Sequence, residues 1–405
     1  MMIIGIIGGG ASGMAAALAA SENKNAQVIL FERQARLGRK LLATGNGRCN
    51  LSNLNAKIGH YYGEQADFAG SALEKYDVTA TLQWFESLGL YTVAEGSGRV
   101  YPYSDQANSV LDVLRFALEK PNTQVLTGCE VSKVKFCDPG FSVVTEEETF
   151  FCDKLIVACG GLAGSKLGGT MSGYKLLQKL GHHCTKLRPT LVQIQSNWPQ
   201  CASLKGVRAE CSVVITRDGA LHASGKGEIQ FTEHGLSGPV IFEISRDVCR
   251  EKGNWVCRLN LLPDMEDPVD RLMPMLRKKQ ETQLAAEDLL TGILHNRLGR
   301  VVVKEAGISL HAPIRQLEDW ELENACRKAL ALEIPLTEPM GMDAAQVTAG
   351  GIVTCEFDPE TMESKLVPGL YACGEVLDID GDCGGYNLQW AWSSGRCAGH
   401  AAGKE

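Results

Sequence analysis

Met2-Ile-Ile-Gly-Ile-Ile-Gly-Gly-Gly-Ala-Ser-Gly13 is an apolar run that ends in glycines. Met2 to Ile7 has the composition of a short buried strand, and Met14 to Ala20 that of a helix. A second apolar strand, Gln27 to Phe31, ends on Glu32. This is G-x-G-x-x-G between a strand and a helix, with an acid about 20 residues further on, and it predicts a dinucleotide-binding unit. Gly8 permits the tight turn out of the strand, Gly10 lets a pyrophosphate reach the backbone, and Gly13 lets the helix pack on the strand. The helix start at Ala11 and Ser12 offers free amides and a positive dipole end to phosphate. Glu32 is placed to accept from a ribose 2′-hydroxyl, a charged hydrogen bond of roughly 1.5–3 kcal/mol, and to repel a 2′-phosphate. The first twenty-one residues carry no side-chain charge, a length that can span a membrane. Gly5, Gly8, Gly9, Gly10 and Gly13, with no basic stretch ahead of them, argue for the phosphate cradle instead.

A chain of 405 residues suggests two or three domains. Its 44% apolar and 22% charged content is that of a soluble globular protein. The net charge of −8 argues against a large nucleic-acid footprint. Fifteen cysteines at irregular spacing, without C-x-x-C, fit reduced thiols in a cytoplasmic protein better than a disulfide or zinc framework, and no metal site is expected. The absence of C-x4-C removes the dithiol–flavin disulfide reductases.

Arg33 to Asn50 is rich in Gly, Arg and Lys and reads as a basic loop near phosphates. Residues 71–90 read as one amphipathic helix and 109–119 as another. Val125-Leu126, Val131 to Phe136 and Phe141 to Val144 resemble a three-strand meander, and Phe151 to Ala158 reads as one buried strand ending in Cys159-Gly160-Gly161. From about 190 to 262, short apolar runs (Val213 to Thr216, Ile229 to Phe231, Val240 to Ile244, Val256 to Leu262) split by Gly and Pro predict a β-rich module. A helical pattern follows to 330. The α/β character returns near 345, with Gly369 to Glu375 as a strand and Gly384-Gly-Tyr-Asn-Leu388 opening a last helix, a second candidate anion or carbonyl site. The expected domains are 1–188 and 336–405 for the cofactor, with 189–265 (β-rich) and 266–335 (helical) inserted.

The motifs Gly38-Arg-Lys-Leu-Leu-Ala-Thr-Gly-Asn-Gly-Arg-Cys-Asn50, Phe231-Thr-Glu-His-Gly-Leu-Ser-Gly-Pro239, Ala345-Gln-Val-Thr-Ala-Gly-Gly351, Thr361-Met-Glu-Ser-Lys365 and Gly374 to Gly381 with Gly384-Gly-Tyr-Asn-Leu-Gln389 carry a resemblance along essentially the whole chain. The chain resembles the bacterial NAD(P)/FAD-dependent oxidoreductases that include the bile-acid Δ4/Δ6 reductase, aminoacetone oxidase and an rRNA dihydrouridine-forming flavoenzyme. The resemblance implies FAD and a glutathione-reductase-like Rossmann domain interrupted by the insert. It differs from the family pattern at Cys159, where Thr is usual, and in Lys166 to Tyr174.

The resemblance implies that Arg33, Arg39, Lys40, Leu41, Thr44, Gly45, Gly47, Cys49 and Asn50 run past the pyrophosphate and ribityl chain toward the ring. It implies that Val131 meets the adenine through its backbone, and that Ala158, Cys159 and Gly160 lie near the flavin. Gly374, Glu375 and Asp380 are expected on the phosphate and ribityl side. Gly385, Tyr386, Asn387 and Leu388 are expected to present helix amides to the flavin N1/O2 edge. Tyr386, His234 and Cys49 are the candidate catalytic groups. Core packing accounts for Trp390 and Trp392 and competes for Tyr386, a loop role competes for His234, and a small apolar filler competes for Cys49. No His or Cys sits in an attachment motif, so FAD is expected to be non-covalent. No second G-x-G-x-x-G is present, so NAD(P)H is expected as a transient donor.

The expected function is an ene-reductase saturating an enone such as a 3-oxo-Δ4 steroid or bile acid, with the insert as a lid. A uracil is also a conjugated enone, so dihydrouridine formation in rRNA is the second candidate. That would need a basic face from Arg271, Arg277, Lys278, Lys279, Arg297, Arg300 and Lys304. An amine oxidase using O2 and a flavin-binding sensor complete the set. The partner is expected to be a small molecule; the oligomeric state is left open.

Overall fold

The computed structural model describes residues 1–404. They form two compact units, 1–189 with 342–404, and Thr190–Gly341.

The first unit is built on a five-stranded parallel sheet. β1 (Met2–Ile7) lies between Lys154–Val157 and β2 (Ala26–Glu32), with Leu370–Ala372 and Thr123–Thr127 at the edges. All-parallel strands are covered on both faces, which is why β1 and β2 are nearly continuous in Ile, Val and Leu. Helix α1 (Ala11–Ala20) connects β1 to β2, and Ser12 to Ala20 are all buried. The C-terminal helix Tyr386–Ala402 packs along it. The approach is close because both helices present small residues. A Cβ built on Gly395 would lie 2.4 Å from the Ser12 carbonyl oxygen, and one on Gly399 2.3 Å from that of Ala16. Trp390 and Trp392 are core residues whose indole N–H groups donate to the carbonyls of Gly374 (3.1 Å) and Leu51 (2.9 Å).

Three local expectations are corrected. Residues 71–90 form two helices, Ala69–Lys75 and Val78–Ser87. The chain breaks at Tyr76-Asp77, where the Asp77 carboxylate accepts from Ala80 N at 2.7 Å and starts the second helix. Asp77→Ala is expected to cost about 1 kcal/mol of stability, seen as a lower denaturant midpoint at unchanged m-value. The meander is Lys133–Phe136, Phe141–Val144 and Thr149–Cys152, while the 125–126 segment belongs to the parallel sheet beside β2. The run 151–158 is therefore two strands in different sheets. The switch falls at Asp153, whose N–H donates to Ile3 O (2.8 Å) and whose carboxylate accepts from Ile3 N (2.6 Å).

In the inserted unit, a six-stranded sheet runs in the order Ile194–Gln195, Gly235–Ser237, Ala220–Thr232, Arg208–Arg217, Trp255–Asn260, Leu332–Leu336. Its last strand follows the helices Pro268–Gln280, Asn296–Glu305 and Asp319–Leu330, so β-rich and helical stretches share one hydrophobic core. Val240 to Ile244 is not a strand. It lies in the helix Pro239–Arg250, with Pro239 at the first helical position and Val240, Ile241, Ile244 and Val248 buried on one face. No helix among the described residues is long and apolar enough to cross a membrane.

Candidate active site

The glycines of the cradle divide by what surrounds them. A Cβ on Gly8 (φ +111°) would lie 2.4 Å from the Ala158 carbonyl oxygen, and one on Gly13 1.8 Å from that of Gly8. These two are set by backbone approaching backbone. A Cβ on Gly10 would meet nothing within 4 Å among the described residues. Gly10 is the N-cap of α1 and no side chain caps it, so the amides at Ala11, Ser12 and Gly13 open onto that space. Glu32 stands beside it. Its carboxylate accepts from Gly9 N (2.8 Å) and Gln34 N (2.6 Å), which fixes its position and leaves further lone pairs for a hydroxyl. The segment reaching Val131 is tied to the same strand end, because Cys129 N donates to Glu32 O at 2.9 Å. Val131 itself is buried.

The basic loop docks on the cradle through Gly38 N, which donates to Gly9 O at 2.9 Å. Leu41 is buried under it. Arg33 donates to Gly168 O and Arg39 to the Gln34 side chain, each at 2.9 Å. Lys40 pairs with Glu375 at 2.8 Å, and the same carboxylate accepts from Thr348 N at 2.9 Å. A Cβ on Gly161 would lie 2.4 Å from that carboxylate, and one on Gly374 2.5 Å from the Ser12 hydroxyl. Gly374 is thus set against the start of α1, and Gly161 against the Glu375 carboxylate that follows it. Lys40 and Glu375, each expected at a cofactor, are partners of one another.

Thr44 to Asn50 folds back on itself. Gly45, Asn46, Gly47 and Cys49 all have positive φ, and Cys49 N donates to Thr44 O at 3.0 Å. Burial pushes the Cys49 thiol up to about 12, so at neutral pH it is protonated and a poor nucleophile. Burial pushes Cys159 up to about 12 as well, with the Glu32 charge adding to it. Asn50 is 9% exposed, and its buried side-chain oxygen has no hydrogen-bond partner among the described residues. That oxygen would lie 2.9 Å from a Cβ on Gly385, the uncapped N-cap (φ +101°) of the C-terminal helix. An unfilled acceptor beside an uncapped helix start suits a planar group presenting both an N–H and a carbonyl, as a flavin pyrimidine edge does. The open face at Gly10 suits its pyrophosphate.

The loop before that helix is held by Asn387. Its oxygen accepts from Gly381 N (2.8 Å), and its amide donates to the carbonyls of Gly381 (2.8 Å) and Asp382 (3.2 Å). Asp380 is buried and pairs with Tyr62 in a two-residue antiparallel bridge. Tyr386 is buried, and its carbonyl accepts from the Tyr61 hydroxyl at 3.0 Å. Leu388 lies in the first turn of the same helix. His234 belongs to the inserted unit, exposed in the turn between Ala220–Thr232 and Gly235–Ser237, where its carbonyl accepts from Ser196 N at 2.8 Å.

One cluster at this loop joins residues whose pairing nothing in the local sequence specifies. His60 Nδ1 lies 2.8 Å from one Asp382 oxygen, and the Tyr62 hydroxyl donates to the other at 2.8 Å. The His60 ring lies over Tyr386, with centroids 4.7 Å apart. The partners are 322 residues apart, and the bridge joining them is two residues long.

Fold and site together define an α/β, flavin-type oxidoreductase with a Rossmann cradle. The HI0933-like protein Rossmann domain matches residues 2–401, and the chain belongs to that family. It is 39% identical to the 3-dehydro-bile acid delta(4,6)-reductase of Clostridium scindens, covering 98% of each chain. It is 31% identical to the ribosomal RNA dihydrouridine synthase of Escherichia coli K12, covering 96% of this chain and 95% of the relative. The 3-ketosteroid delta1-dehydrogenase of Sterolibacterium denitrificans shares the fold, with a TM-score of 0.53 at 12% identity over the whole of both chains.

Proposed function

We propose that this chain is an ene-reductase that binds FAD non-covalently, takes electrons from NAD(P)H bound transiently, and saturates the C=C of an enone such as a 3-oxo-Δ4 steroid or bile acid in the cytoplasm. The observation that carries the proposal is the 39% identity, end to end, with a delta(4,6)-reductase. The α1 amides and Gly10 would hold the pyrophosphate, Glu32 the adenosine ribose, and Asn50 with the start of the C-terminal helix the pyrimidine edge. When bound, FAD supplies the hydride. The positive end of the C-terminal helix favours negative charge beside it.

Dihydrouridine formation in RNA is the second reading, favoured by the 31% relative. The basic residues it needs are largely engaged elsewhere. Arg277 pairs with Asp319 (2.7 Å) and Arg300 with Glu287 (3.3 Å). Lys279 donates to the carbonyls of Asp288, Leu289 and Thr291, and Arg297 to those of Ser203 and Lys205. A phosphate footprint depends on cations free to replace counterions.

Anaerobic stopped-flow absorbance tests the assignment. Rapid bleaching of the flavin by NADH or NADPH, then reoxidation by a 3-oxo-Δ4 steroid, is the expected result. Reoxidation by an rRNA fragment alone would move the function to nucleoside reduction. Reoxidation by O2 alone would make the protein an oxidase.

A further inference from the structure

Saturating an enone takes a hydride at the β-carbon and a proton at the α-carbon, and the proton needs a donor. The thiols nearest the cradle are weak acids, because burial pushes Cys49 and Cys159 up to about 12. The cofactor unit contains four histidines. His182 uses both ring nitrogens, on Glu356 (2.8 Å) and Ser364 (3.0 Å); His183 holds the same carboxylate through Nδ1 (2.6 Å), with 80% of its side chain exposed. His400 also uses both, on Tyr76 (2.6 Å) and Glu22 (3.0 Å). His60 differs. Nδ1 is anchored on Asp382, one ring face lies over Tyr386, and Nε2 has no partner among the described residues, with 40% of the side chain exposed. Asp382 is itself fixed by Tyr62, and the loop that carries it by Asn387. A ring oriented by a carboxylate on one nitrogen and open at the other is the arrangement of a proton-transfer group. It sits at the mouth of the uncapped helix where the ring of the cofactor is assigned.

From this geometry we infer that His60 is the acid that protonates the substrate α-carbon, with Asp382 as its positioning residue; this rests on the ene-reductase assignment above. Bound FAD would supply the hydride for the β-carbon, and the C=C π bond would break as that C–H bond forms. The Nε2–H of imidazolium then breaks and a C–H bond forms at the α-carbon. Neutral His60 regains a proton from water, and reduced nicotinamide is the electron donor oxidised overall.

The test compares wild type, His60→Gln and His60→Ala, each loaded with FAD. Flavin content and reduction by NAD(P)H are expected to match wild type. Reoxidation by a 3-oxo-Δ4 steroid is expected to slow about 100-fold or more, in the range of general-acid contributions. Added imidazole is expected to restore much of the rate in His60→Ala, a rescue that a merely structural histidine would not give. In wild type, the His60 imidazole resonances, assigned by their loss in His60→Gln, are expected to shift when the steroid is added to oxidised protein. Reoxidation within threefold of wild type in both variants, or unmoved resonances, would overturn the role of His60 and leave the ene-reductase assignment standing. Failure of the steroid to reoxidise wild type would overturn both.

Discussion

Gly10→Val is expected to yield a folded protein without FAD. The Gly10 backbone has φ −82° and ψ −169°, an extended conformation that valine adopts readily. Nothing among the described residues stands within 4 Å of the new Cβ. The cost to the fold is therefore small, about 1 kcal/mol for a poorer N-cap. The methyl groups fill the space that a pyrophosphate needs and screen the α1 amides from it. Purified variant protein should lack the flavin absorbance of wild type and keep the thermal midpoint of wild-type apoprotein. Unchanged flavin occupancy would remove the cradle assignment.

The second large effect is on stability. Gly399→Leu is expected to destabilise the cofactor unit by about 3 kcal/mol or more, at the upper end of overpacking costs. The Cβ alone would lie 2.3 Å from the Ala16 carbonyl oxygen and 2.8 Å from the Ala19 Cβ. Neither neighbour can rotate away, because one is backbone and the other a methyl on a buried helix. The two helices must separate, and α1 carries the phosphate amides at its other end. A fall in the denaturation midpoint, with weaker FAD retention, is the measurement. A midpoint equal to wild type would mean that the helices are not packed as described.

These two glycines also mark how far the sequence is legible. Gly8, Gly10, Gly13 and Glu32 follow one another within a strand, a turn, a helix and a strand, so spacing alone identifies them. Gly385 to Leu388 at the start of the last helix were readable for the same reason. What was not readable depends on distant partners. Val240 to Ile244 is β-branched enough to pass for a strand, and the helical signal lies in Pro239 and in the spacing of Ile244 and Val248. Residues 71–90 keep a helical apolar pattern across a break that Asp77 enforces through one side-chain bond. Asp153 ends one sheet and starts another by pairing with Ile3, 150 residues away. His60 and Asp382 meet only because Tyr61-Tyr62 bridges Asp380-Gly381. Tyr61-Tyr62 just after His60 was the available hint, and it specifies no partner.

The cofactor unit is assembled from both sides of the insert, and this orders events during synthesis. Domains emerge and fold from the N-terminus onward. α1 and its amides leave the ribosome before the insert, yet Leu370–Ala372, which completes the sheet, and the helix packed along α1 emerge after it. Until then the face of α1 that carries Ser12, Ala15, Ala16 and Ala19 lacks the helix it packs against. The inserted unit holds its own hydrophobic core and can fold while the cradle waits. Cofactor capture is thus tied to the synthesis of residues 370–402, and a chain truncated before them would carry the whole phosphate motif without a stable site to use it.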